Sequence, residues 1–181
     1  MQEIICVLDK SGSMQSVADD AVGGFNKFLE DQQAVGDANL TLVWFDDGWE
    51  VGHEGSIKNM GKLSGWPSGG MTALRDAIGK TFKHVQERFS REQPEKVIMA
   101  ILTDGFENAS KEFTQETIKF LITDHEKNYG WDVIFLAADQ DAWATAQHFG
   151  IQKDNAINYA SSNTRAGLES YTSAVSKARS S

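Results

Sequence analysis

Asp9-Lys10-Ser11-Gly12-Ser13 sets oxygen-bearing side chains at alternate positions, and alternate positions of an extended stretch point to one side. Thr103-Asp104-Gly105 adds a second carboxylate directly after an apolar run, and Gly69-Gly70-Met71-Thr72 adds a hydroxyl just before a helix start. Together they supply two carboxylates and three hydroxyls, with glycines that free the backbone to bend around a point. All are hard oxygen donors without sulfur or imidazole, a set that suits Mg²⁺, Mn²⁺ or Ca²⁺ rather than zinc. Two carboxylates neutralise a divalent ion. If hydroxyls bind directly and a carboxylate acts through water, the ion stays electron-poor and keeps a position open for an acidic group from outside. Taken singly, each stretch has a plainer reading: a helix N-cap and turn for Asp9 to Ser13, a strand-ending turn for Asp104-Gly105, a helix cap for Thr72. Their joint occurrence, each in the right context and order, favours the metal site.

The elements that must position these residues are legible in the hydrophobic pattern. Apolar runs at 4–8, 40–45, 97–102 and 133–138 are short and nearly continuous, as strands buried on both faces are. Met14, Val17, Ala21, Phe25 and Phe28 recur at helical spacing after the first run, and Ala73, Ala77, Thr81 and Val85 form a row of a second helix. Ile118, Leu121, Ile122 and His125 mark a third helix, Trp143, Ala146 and Phe149 a fourth, and residues 164–179 a last one ending in a polar tail (KARSS). Asp47-Gly48 predicts a tight hairpin between 40–45 and 49–57. Ala156–Tyr159 reads as a short final strand. Strands alternating with helices imply βαβ units and a mainly parallel sheet covered on both faces, in one α/β domain over residues 1–181. Ligands of such sheets sit beyond the carboxyl ends of the strands, where the strand order reverses.

CVLDKSGSM, GGMTALRDAI and VIMAILTDGFEN closely resemble the three signature stretches of von Willebrand factor A domains, and the likeness extends over essentially the whole chain. The resemblance implies a metal-ion-dependent adhesion site with Asp9, Ser11, Ser13, Thr72 and Asp104 at its five ligand positions, none replaced. It also implies a three-layer, doubly wound, Rossmann-like sheet ordered 3-2-1-4-5-6 with one antiparallel edge strand. FNKFLEDQ, LVWFDD and YGWDVIFLAADQDA further resemble a small stand-alone bacterial and phage subgroup of that family.

Other residues carry competing readings. Asp46 and Asp47 either touch the metal shell or simply make the hairpin turn; Asp139 and Asp141 either add negative potential at the same edge or cap a helix. Trp66, beside Pro67, is a partner anchor if exposed and a loop-packing side chain if not. Arg75 is placed to meet a partner carboxylate, or to pair with Asp76 or Asp104. Glu107, Asn108 and Ser110 shape the rim or serve loop hydrogen bonds. The four histidines are scattered, with no two at metal-ligand spacing.

Composition narrows the functions. Hydrophobic residues make up 40% and charged residues 24%, as in ordinary globular proteins, and a chain of this size buries about 70% of its unfolded surface. A net charge of −9, from 17 basic and 26 acidic residues, disfavours nucleic acid and anionic membranes as partners. One cysteine, Cys6, makes no internal disulfide, and no apolar run reaches membrane-spanning length. With no basic n-region at its start, the chain is expected to be cytoplasmic. The expected function is binding, not catalysis: a cation held by the five residues would capture an acidic side chain of a protein partner. Two alternatives stand beside it. One is a metal-independent assembly component using the acidic surface and last helix. The other is a metal-dependent phosphohydrolase with Asp9 as nucleophile, which lacks the usual second Asp two residues on because Ser11 stands there.

Overall fold

The computed structural model describes every residue of the chain except Gly105. Six strands form one sheet: β1 (Gln2–Asp9), β2 (Asn39–Phe45), β3 (Trp49–Ser56), β4 (Lys96–Thr103), β5 (Asp132–Ala138) and β6 (Ala156–Tyr159). Their order is β3-β2-β1-β4-β5-β6. The β2–β3 pair is antiparallel and all the others are parallel. Five helices cover it: α1 (Ala18–Val35), α2 (Leu74–Phe89), α3 (Gln115–Tyr129), α4 (Ala142–His148) and α5 (Thr164–Ser180). This is the doubly wound, three-layer α/β arrangement expected, with the hairpin turning at Asp47-Gly48.

The central strand shows why the apolar runs are continuous. Ile4, Cys6 and Leu8 of β1 pack with Phe25 and Phe28 of α1 and Leu168, Tyr171 and Val175 of α5. Ile5 and Val7, on the opposite face, pack with Ile78 and Phe82 of α2 and Ile118 and Ile122 of α3. A strand flanked by helices on both sides needs apolar residues at every position. The Tyr171 hydroxyl, fully buried, donates to the Ala100 carbonyl at 2.9 Å, so this polar atom that α5 drives into the core is satisfied.

Two expectations change in detail. Residues Gly12–Val17 form a short 3-10 segment, and the first α-helix starts only at Ala18. The carboxyl-terminal residues are no solvated tail. Helix α5 continues to Ser180, and Arg179 is buried, giving its guanidinium to Gln2 Oε1, the Gln32 carbonyl and side chain, and the Gly36 carbonyl. Among the described residues no helix is long and apolar enough to cross a membrane.

Because β2, β1, β4 and β5 are parallel, their carboxyl ends lie along one edge of the sheet. The chain order reverses between β1 and β4, so Asp9 and Asp104 stand at the switch point. The opposite edge holds a buried ion pair. Glu3 of β1 is 1% exposed, and it accepts from Arg88 at 2.8 Å and from the Thr41 hydroxyl at 2.7 Å. Removing one member of such a pair strands the other. Arg88→Ala should therefore lower stability by about 3 kcal/mol, with Glu3→Gln in the same chain recovering part of the loss. The urea unfolding midpoints of the two variants check both signs.

Candidate metal centre

The first loop begins where β1 ends. Asp9 has no exposed surface. Its Oδ1 accepts the Ser11 N–H at 2.7 Å, and its Oδ2 accepts the Thr103 hydroxyl at 2.6 Å and the Asp104 N–H at 3.4 Å. The turn that brings Ser11 N–H back to Asp9 also sets Ser11 and Ser13 side by side, with their hydroxyl oxygens 3.3 Å apart. Ser13 then donates to Asp104 Oδ1 at 2.7 Å. Four of the five candidate ligands, Asp9, Ser11, Ser13 and Asp104, thus belong to one continuous hydrogen-bond network.

The fifth, Thr72, stands on a neighbouring loop that backbone bonds fasten to the first. Gly12 N–H donates to the Gly70 carbonyl at 3.1 Å, and Gly69 N–H donates to the Lys10 carbonyl at 2.9 Å. Ala73 N–H donates to the Asp46 carbonyl at 2.8 Å, tying the start of α2 to the end of β2. Thr72 itself is buried, and its backbone is held on both sides by Asn108. The Asn108 N–H donates to the Thr72 carbonyl, and Asn108 Oδ1 accepts the Thr72 N–H, both at 2.9 Å. Gly70 has φ +75°, and a Cβ there would run into the carboxylates of Asp46 and Asp47, so a side chain at this position is excluded by both backbone and space.

The electrostatics are those of carboxylates held together without a cationic side chain. Burial pushes the Asp104 carboxyl up to about 6, the charges of Asp9 and Asp139 add to the rise, and the Ser13 hydrogen bond opposes it. Tyr159, half-buried beside them, is likewise held protonated, first by loss of solvent around its hydroxyl and then by the three aspartates. Its hydroxyl lies 3.4 Å from the Thr103 carbonyl. Among the described residues no three His, Cys, Asp or Glu side chains group as a metal site. A cation here would be held by two carboxylates and hydroxyls. That donor set, with its surplus of buried negative charge, fits a hard divalent ion.

The three residues considered as partner contacts have other duties. Trp66 is 6% exposed; its indole N–H donates to the Asp9 carbonyl at 3.0 Å, and its ring packs edge-on against Trp44 at 4.8 Å. It anchors the loop beneath the site and presents no surface to a partner. Arg75 pairs with neither Asp76 nor Asp104; its Nε donates to the Phe113 carbonyl at 2.9 Å. Glu107 accepts the N–H groups of Arg75, Ala109 and Ser110 and the Ser110 hydroxyl. Burial works to raise its carboxyl, but these donors outweigh it and hold it below the usual range. Its oxygens are spent on shaping the loop.

Asp46 makes the hairpin turn through Gly48 N–H at 2.7 Å, and Asp141 caps α4 through Ala144 N–H at 3.1 Å. Asp139 caps no helix: it takes the N–H and hydroxyl of Ser161, and its charge adds to the rise that burial imposes on Asp104. Sequence reasoning passed over Thr103 and Tyr159. The signal for Thr103 was its place at the last position of a buried strand, where a hydroxyl must find a partner. Trp66→Phe should cost about 1–3 kcal/mol by leaving the Asp9 carbonyl without its donor, a loss that a solvent-facing partner contact would not produce. Thermal unfolding measures it.

No family model matches the chain, and no curated protein matches it. Solved structures do. The ArnB paralog VWA2 from Sulfolobus acidocaldarius aligns with a TM-score of 0.61 at 18% identity, over 92% of this chain and 43% of its own. The vWF domain of the type V pili tip protein Mfa5 from Porphyromonas gingivalis aligns at 0.63 and 10% identity, over 97% and 95%. The pilus adhesin SpaC from Lactobacillus rhamnosus GG aligns at 0.66 and 17%, over 96% and 30%. The chain therefore has the α/β fold of von Willebrand factor type A domains, and it spans less than half the length of the first and third of these proteins.

Proposed function

We propose that this domain is a divalent-cation-dependent protein-binding module. In this reading Asp9, Ser11, Ser13, Thr72 and Asp104 hold Mg²⁺, or Mn²⁺ or Ca²⁺, and the loaded site captures an acidic side chain of a protein partner. The observation that carries it is the contrast between the two ends of β1. Buried Glu3 is paired with Arg88. Asp9 is equally buried, yet among the described residues neither it nor Asp104 has an ion-pair partner, and the adjacent Lys10 is committed to Asp46 and Glu50. Buried charge without a counter-charge is costly, and a bound cation is the natural remedy.

A divalent cation bound there supplies positive charge and an outward position that a carboxylate can take. This chain's own residues do the rest. Thr103 and the Ser11 N–H hold Asp9 in one orientation. Ser13 holds Asp104, and Asn108 holds the backbone of Thr72. Such preorganisation limits the ordering cost of binding. The role is capture, without bond cleavage: Ser11 occupies the position where a phosphohydrolase of this kind would carry its second Asp. The fold shared with a pilus adhesin and a pilus tip protein supports interaction as the general role.

Thermal unfolding in excess Mg²⁺ and in EDTA tests the reading. An ion at about 100 times its dissociation constant adds about 2.7 kcal/mol, or roughly 5–11 °C for a chain of this size. Wild type should show that rise and Asp104→Ala should not. In EDTA at neutral pH the variant should melt at or above wild type, because its folded state no longer holds an ionised carboxylate against Asp9. No rise in wild type, or an equal rise in the variant, overturns the proposal.

A further inference from the structure

We infer that the partner segment taken by this site is extended, carries basic residues two positions to either side of its acidic residue, and lays an apolar flank against Met71 and Phe106. The inference rests on the carboxylate-capturing role proposed above and specifies the partner.

The starting point is an apolar pair left in solvent. Phe106 is 67% exposed and Met71 is 54% exposed. Both stand on the rim: Met71 directly precedes Thr72, and Phe106 follows Asp104 by two residues. The segments that carry them are fastened together by the paired Thr72–Asn108 bonds and by Glu107 on the Arg75 N–H. Their exposure is therefore built into the loops. Large apolar side chains left exposed beside a polar site offer a partner apolar surface to bury.

Charge complementarity defines what lies on it. The carboxyl ends of β2, β1, β4 and β5 carry Asp47, Asp9, Asp104 and Asp139 in that spatial order. Asp9 and Asp104 form the centre. Asp47 and Asp139 stand outside it, exposed, on opposite sides. Asp47 takes the Met71 N–H at 3.3 Å, and Asp139, its carboxyl held low by Ser161, takes the Ser161 N–H at 3.0 Å. With strands about 4.8 Å apart, each outer aspartate lies about 7 Å from the middle of the row. Two residues of extended chain span about 6.7 Å and point to the same side. A segment crossing the row with its carboxylate at the centre thus sets the residues two before and two after it over Asp47 and Asp139. Lys or Arg there is attracted, and Asp or Glu is repelled.

Three labelled peptides test this by fluorescence anisotropy in Mg²⁺ at low ionic strength: Leu-Ser-Lys-Ser-Glu-Ser-Lys-Ser-Leu, whose Leu, Lys and Glu share one side of an extended chain, the same peptide with Asp for both Lys, and the same peptide with Gln for Glu. The basic-flanked peptide should bind tighter than the acid-flanked one by on the order of ten-fold. In the double variant Asp47→Asn, Asp139→Asn that ratio should fall to about three-fold or less. Asn keeps one acceptor oxygen for the Met71 or Ser161 N–H, its NH2 can donate to the Ser161 hydroxyl, and it tolerates the positive φ of Asp139. Phe106→Ser should weaken the basic-flanked peptide several-fold. Equal binding of the Gln peptide would overturn the inference, since attraction of any cationic peptide would then explain the result. So would an unchanged ratio in the double variant, or no peptide binding while the Mg²⁺ melting rise persists. If that rise is itself missing, the carboxylate-capturing role fails and this inference fails with it.

Discussion

A carboxylate with no exposed surface must be surrounded by donors, or the charge would cost several kcal/mol. Asp9 is such a group, and the architecture of the loop edge follows from satisfying it. Ser11 folds back to give its N–H, Thr103 ends β4 with a hydroxyl directed at it, and Asp104 adds a longer N–H contact. The donors come from the two strands flanking the switch point, so forming the β1–β4 pair and solvating Asp9 are one event. The Trp66 indole completes the arrangement from below by taking the Asp9 carbonyl. The irregular loop between β3 and α2 is thereby pinned at its middle, which is how Thr72 reaches the edge at all.

The same strand carries a second buried carboxylate at its other end, and the two are treated differently. Glu3 is given Arg88, and Arg88 reaches on to Glu54, which His84 also contacts. That end closes on itself. The Asp9 end is supplied with neutral donors alone, and burial, with the charge of Asp9 added to it, raises the Asp104 carboxyl. Neutral donors orient a carboxylate without cancelling its charge. An edge built this way holds its carboxylates in place without a counter-charge.

How far the sequence discloses this depends on the kind of force involved. The strands were legible because burial on both faces demands uninterrupted apolar residues, as Ile4 to Leu8 and Val97 to Leu102 show. The hairpin was legible because Asp47-Gly48 is a local turn solution. The candidate ligands were legible as types and spacings, and the network from Asp9 to Asp104 agrees with that spacing. Arg179 was not legible. Its place in a charged, serine-rich end suggests solvent, whereas its burial depends on carbonyls of Gln32 and Gly36, more than 140 residues away. Glu107 keeps both a rim and a loop reading in the sequence, because the Arg75 N–H that joins its local donors Ala109 and Ser110 lies 32 residues away. Trp66 carries two readings, and the choice between them rests on ring contacts with Phe25 and Trp44 that no local pattern encodes.

These roles also separate what holds the site from what faces outward. Asn108, Glu107, Trp66 and Thr103 turn their polar atoms inward, onto backbone or onto Asp9. Met71 and Phe106, carried on the same loops, turn outward. A loop whose hydrogen bonds are fully engaged can display an apolar side chain without collapsing around it. The exposure of Met71 and Phe106 is therefore a consequence of the polar stitching beneath them, and that stitching is anchored on Asp9.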